Sequence, residues 1–128
     1  MREQKFYRCS HCGNLVAMMH SSGARIVCCG EEMKLLDANT QDGAREKHLP
    51  LVHVDGCSVR VQVGDVIHPM TEAHYIQWIY LETEKGGQVK FLKPNEEPTA
   101  KFKVVDDEVV AVYEYCNLHG LYKTVIKG

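Results

Sequence analysis

Ser58-Val59-Arg60-Val61-Gln62-Val63 places valine at every second position. A strand turns successive side chains to opposite faces, so the three valines face one way and Arg60 and Gln62 the other. The stretch reads as a half-buried β-strand. Outward from it, alternation or short apolar runs recur at 51–54, 75–83, 88–92, 100–105, 109–115 and 121–126, with turn signals at Gly86-Gly87, Pro94-Asn95 and Asp106-Asp107. About seven strands joined by short turns, without a long amphipathic helix, predict an all-β fold in which an antiparallel sandwich fills 38–128. Ile76, Trp78 and Tyr80 alternate along one of these strands and are expected together in its core.

The first 37 residues read differently. Short β-type runs at 5–8, 15–19 and 26–27 are separated by Gly13, Gly23 and Gly30. They hold too few apolar residues for a core of their own, so this unit needs a staple. The polar segment 37–47, with Asn39, Asp42 and Gly43, is a connector expected to carry a helical turn.

The whole chain is 128 residues, 45% hydrophobic and 25% charged, with 15 Lys+Arg against 17 Asp+Glu. That balance carries no electrostatic footprint for nucleic acid or an anionic membrane. The N-terminus is polar where a secretory signal is apolar, and no apolar run reaches membrane-spanning length. A soluble, cytoplasmic protein is expected. In a reducing compartment its six cysteines are more suited to metals or catalysis than to disulfides.

Cys9-x-x-Cys12 puts two sulfurs on one turn, and Cys28-Cys29 supplies two more after a hairpin-sized interval. Four thiolates close a tetrahedron. The adjacent pair is unusual: neighbouring Cα atoms only about 3.8 Å apart impose a distorted sulfur–metal–sulfur angle. A structural zinc site and a redox-active iron site both fit these donors, and ligand softness does not separate them.

A second group gathers at predicted strand ends: His48, His68, His74, and Cys116-Asn117-Leu118-His119. Loops there are free of the ladder and can aim ligands at one point. Imidazoles with one thiolate suit copper, iron or zinc. A copper carrier would add a weak axial methionine, and none follows His119 in Gly120-Leu121-Tyr122-Lys123. Around iron, four neutral imidazoles favour the ferrous state, and an axial thiolate pushes electron density toward an open sixth position. Such a site is suited to a small anionic oxidant.

Cys9-x-x-Cys12 with Cys28-Cys29, Glu46-Lys47-His48-x-Pro50, His68-Pro69-Met70, His74-Tyr75-Ile76-x-Trp78 and Cys116-Asn117-x-His119-Gly120-Leu121 together resemble desulfoferrodoxin, the two-iron class of superoxide reductase. The likeness runs in order over nearly the whole chain. It implies a desulforedoxin-like Fe(Cys)4 unit over 1–37 and an immunoglobulin-like catalytic sandwich over 38–128 carrying Fe(His)4(Cys). It also implies a homodimer, one-electron reduction of superoxide to hydrogen peroxide, and a rubredoxin-type electron donor. Carried over by position, His48, His68, His74 and His119 are equatorial ligands and Cys116 the axial one. Glu46 is the carboxylate that closes the ferric site, and Lys47 the cation beside it. Tyr122 departs from the pattern, since tryptophan often follows the Gly-Leu pair.

Residues outside these motifs have plainer readings. His11 is expected exposed beside a complete set of sulfurs, His20 and His53 solvated or structural, and Cys57 a free thiol in a turn. Two other functions compete: an electron carrier with a coordinatively closed second site, and a zinc-stapled interaction module. Azide or cyanide binding separates the first, since only an open site accepts a ligand, and metal analysis separates the second.

Overall fold

The computed structural model describes residues 3–41, 48–64 and 68–127. The chain divides into two compact units, Met1–Asp37 and Ala38–Gly128. Among the described residues every regular element is a strand, and no helix is long and apolar enough to cross a membrane.

In the first unit, strands β1 (Lys5–Arg8), β2 (Leu15–Met18) and β5 (Lys34–Leu35) form an antiparallel sheet with β1 in the centre. The two-residue strands β3 (Val27–Cys28) and β4 (Glu31–Glu32) form a separate hairpin. The strand expected at 26–27 thus lies one residue later. Ile26 instead spends its carbonyl on Met33 N–H, 2.8 Å away. Among the described residues of this unit only Phe6, Cys9 and Met33 are buried apolar side chains, which is why it needs the cysteines as a staple.

The second unit holds β6 (Pro50–Asp55), β7 (Ser58–Val63), β8 (Ile76–Thr83), β9 (Gly87–Phe91), β10 (Thr99–Lys103), β11 (Val109–Cys116) and β12 (Gly120–Val125). They make two sheets, ordered β10-β7-β6 and β12-β11-β8-β9, with every pairing antiparallel. Val59, Val61 and Val63 fill the space between the sheets with Ala100, Phe102, Ile79, Leu81 and Val112. Each such valine contributes about 1.5–3 kcal/mol through burial. The connector's expected helical turn falls partly on 42–47, outside the described residues, and at 37–41 the chain makes one bridge, Asn39 to Tyr122.

Strand β8 corrects the expectation that Ile76, Trp78 and Tyr80 share one face. Trp78 pairs with Tyr115 but Ile76 pairs with Cys116, so Gln77 is an extra residue opposite β11. Such a bulge reverses the alternation. Ile76 therefore joins Ile79 and Leu81 in the core, while Trp78 and Tyr80 leave by the opposite face. There Trp78 stacks on Tyr115 at 5.8 Å and Tyr80 meets Tyr113 edge-on at 6.2 Å. The Tyr80 hydroxyl occupies the space that a Cβ on residue 87 would need, at 1.9 Å, so glycine is required at that position.

Candidate metal centres

The first centre is built from two tight turns. Cys9 N–H donates to the Asn14 carbonyl at 2.8 Å and Gly13 N–H to the Cys9 carbonyl at 3.0 Å, folding Cys9 and Cys12 into one knuckle. Cys28 and Cys29 lie at the tip of the β3–β4 hairpin. Cys29 takes a left-handed backbone with φ 54°, followed by Gly30 at φ 76°. A side chain there costs about 1 kcal/mol, and it is how adjacent residues bring both sulfurs to one point. Cys12 and Cys28 sulfurs are 3.6 Å apart and those of Cys28 and Cys29 4.0 Å. All four ligand atoms fall within 4.8 Å of one another.

These thiols cannot ionise together without a cation. The backbone N–H of Cys12 is the main influence holding Cys9 down at about 6. Cys29 is pushed up to about 12, and Cys28 is raised as well, first by the Cys12 sulfur in each case. Asn14 adds support, donating its backbone N–H to the Cys12 sulfur at 3.5 Å and its amide to Cys28 at 3.6 Å. His11 is exposed as expected, and its ring contacts the Glu31 carboxylate.

The second centre lies at one end of the sandwich. His48 precedes β6, His68 follows β7, His74 precedes β8, Cys116 ends β11 and His119 stands in the turn into β12. Their four imidazoles close a ring: His48 to His68 is 4.5 Å between centroids, His68 to His74 4.7 Å, His74 to His119 5.0 Å and His119 to His48 5.0 Å. The Cys116 sulfur is 3.7 Å from His68 Nε2 and 3.8 Å from His119 Nδ1. Ligand atoms of His48, His68, Cys116 and His119 lie within 4.8 Å of one another, and His74 completes the ring between His68 and His119.

Local hydrogen bonds explain these positions. The Pro69 carbonyl lies 2.7 Å from His68 Nδ1. It holds the proton there and leaves Nε2, which faces Cys116, as the donor nitrogen. The loop carrying His74 is tied to the end of β11 by Asn117, whose Oδ1 accepts Tyr75 N–H at 2.9 Å and whose amide donates to the Ala73 carbonyl at 2.9 Å. His74 itself closes a turn with Thr71, their backbones exchanging bonds of 2.9 and 3.1 Å. Nitrogen donors with one thiolate, converging in a mostly buried cluster, fit iron.

Glu46 and Lys47 lie outside the described residues. Three further residues support this centre without being donors. Glu114 is fully buried with its carboxylate 3.8 Å from His48 Nδ1. Tyr122 stacks on the His48 ring at 4.4 Å and 13°. Asn117 ties the loop of His74, as above. Counting back by two from Cys116 along β11 would have placed Glu114 on the same inward face. The other two contacts carry no local signal.

The comparisons follow the same two-part order. Residues 1–36 match the desulfoferrodoxin N-terminal domain family and residues 40–125 the desulfoferrodoxin family. Desulfoferrodoxin of Nitratidesulfovibrio vulgaris is 48% identical over 121 residues, covering 94% of this chain and 95% of that protein. The crystal structure of superoxide reductase from Treponema pallidum superposes with a TM-score of 0.84 at 37% identity, covering 97% of this chain and 99% of that one. Superoxide reductase (1Fe-SOR) from Giardia intestinalis gives 0.58 at 33% identity, covering 66% of this chain and all, 100%, of that one. With a four-sulfur site in the first unit, a ring of imidazoles over a cysteine in the second, and both parts matched in order, the chain belongs to the desulfoferrodoxin family.

Proposed function

We propose that this protein is a superoxide reductase, converting one superoxide anion, one electron and two protons into hydrogen peroxide without releasing dioxygen. The observation that carries this reading is the exposure of the second centre. His48, His68 and Cys116 are buried while His119 is exposed, so the donor cluster reaches solvent on one side. A closed electron carrier has no need of that access. The likeness to the superoxide reductases of Treponema pallidum and Giardia intestinalis supports the same activity.

Iron suits both donor sets, and in the second it supplies the single electron. His48, His68, His74 and His119 would hold it as neutral imidazoles, and Cys116 would be the thiolate that favours electron donation. Lys47 would attract the anionic substrate, and Glu46 would supply the carboxylate that closes the iron site between turnovers. Both roles rest on the resemblance around Glu46-Lys47-His48. Cys9, Cys12, Cys28 and Cys29 hold the other iron, and the exposure of Cys12 and Cys29 suits entry of electrons from a rubredoxin-type donor. The family likeness supports a homodimer, and the cysteine usage a cytoplasmic setting.

The test mixes pre-reduced protein with a measured amount of superoxide. One peroxide per superoxide, with no dioxygen, is expected. Dioxygen and peroxide in equal amounts would make it a dismutase, and an unreactive ferrous site would return it to the electron carriers.

A further inference from the structure

His48 is held from two sides by a pair of residues on neighbouring strands. Glu114 on β11 and Tyr122 on β12 are direct register partners, so their side chains leave the sheet on the same face. Glu114 meets the imidazole at its Nδ1 edge, 3.8 Å away, and the Tyr122 ring covers its face at 4.4 Å, only 13° from parallel. The backbone around Tyr122 is itself pinned. Asn39 N–H donates to the Leu121 carbonyl at 2.9 Å, and Lys123 N–H donates to the Asn39 carbonyl at 2.8 Å. Thr124 then bonds across to the Pro50 carbonyl at 2.7 Å, two residues beyond His48.

We propose that Tyr122 is a positioning residue for the superoxide site: its fixed ring sets the plane of the His48 imidazole while Glu114 sets its Nδ1 edge. The inference rests on the reading of the second centre as the iron site. An imidazole binds metal through a lone pair lying in the ring plane, so tilting the ring weakens the bond even when the nitrogen stays near. A parallel ring at van der Waals distance resists that tilt, and a branched aliphatic side chain of similar bulk does not. Flatness, rather than volume or the hydroxyl, is the property that matters at position 122.

The test uses the full chain with both centres loaded. It follows ferrous iron passing from the second centre to a strong chelator, with the colour of the first centre as an internal control for intact protein. Tyr122→Leu is expected to release iron about tenfold faster or more, the usual scale for loss of a group supporting a ligand, while Tyr122→Phe and Tyr122→Trp stay within about twofold. The ferric thiolate charge-transfer band shifts in the leucine variant and not in the phenylalanine or tryptophan variants. Tyr122→Met, which also lacks a plane, gives the same comparison if the leucine variant does not fold. Unchanged release from Leu and Met, or release from Phe and Trp as fast as from Leu, overturns the assignment. A wild-type protein that holds iron yet leaves superoxide unreduced defeats the activity and not this inference, since release is read without turnover.

Discussion

The Nδ1 of His48 lies 3.8 Å from Oε1 of Glu114, with the two side chains 3% and 0% exposed. A carboxylate this deep in a sandwich core is costly unless its charge is compensated, and a cationic metal held by the imidazole would contribute to that compensation. Glu114→Gln keeps the shape and removes the charge. Because a nearby negative charge favours the ferric over the ferrous state, the midpoint potential of the second centre should rise. A Coulomb contribution of about 2 kcal/mol at ~8 Å and an effective dielectric near 20 caps the rise at roughly 90 mV. Spectroelectrochemical titration reads it, with the first centre unmoved. An unshifted potential would show that the carboxylate is not electrically coupled to the metal.

The two centres share no ligand, which makes them separable. Cys28→Ser should abolish the colour of the first centre and leave superoxide reduction by pre-reduced protein within about threefold of wild type. Cys116→Ser should remove the charge-transfer band of the second centre and cut the rate by about 100-fold or more, since it removes the electron-donating ligand. Equal losses in both variants would mean that the first centre is needed for turnover.

Lys47 is proposed to steer a monoanion toward a protein of formal net charge -2. One ammonium at ~6 Å contributes roughly 1 to 3 kcal/mol across effective dielectrics of about 80 to 20. Lys47→Ala should lower the second-order rate about tenfold and flatten its dependence on ionic strength, with iron retained. Glu46→Ala should alter the ferric spectrum and azide affinity more than the rate. A Lys47→Ala protein with the wild-type salt slope would return that residue to an ordinary surface charge.

The thiols of the first centre predict a proton count. At pH 8 Cys9, held at about 6, is already a thiolate. Cys28 and Cys29 are both raised, Cys29 to about 12, and must each give up a proton to bind metal. Metal binding at this site therefore releases at least two protons at pH 8. Affinity rises as pH rises toward about 12 and falls more steeply below about 6, where Cys9 also protonates. Cobalt titration in buffers of different ionisation enthalpy measures the count, with the thiolate band reporting occupancy. Release of fewer than two protons contradicts it.

Residue types and spacing alone determined the four-thiol set, because a donor is a property of a side chain and four thiols at Cys9-x-x-Cys12 and Cys28-Cys29 have few other uses; for the second centre they gathered candidate donors, and the family resemblance assigned their roles. Type and spacing determined the strands of the second unit as well, since alternation such as Val59, Val61 and Val63 is local and survives any fold that buries one face, whereas the two-residue strands β4 and β5 are too short to show a period. Only the tertiary structure decided what crosses between strands. One inserted residue, Gln77, turned Trp78 and Tyr80 to the sheet's other face, where Trp78 is still buried, and kept Ile76 between the sheets beside Cys116. The pairing of β11 with β12 set Glu114 and Tyr122 side by side around His48, more than 65 residues earlier in the chain. Periodicity reads one strand at a time, so it carries no record of a bulge or of which residues become neighbours across a ladder. Those neighbours hold the ligand rings in place.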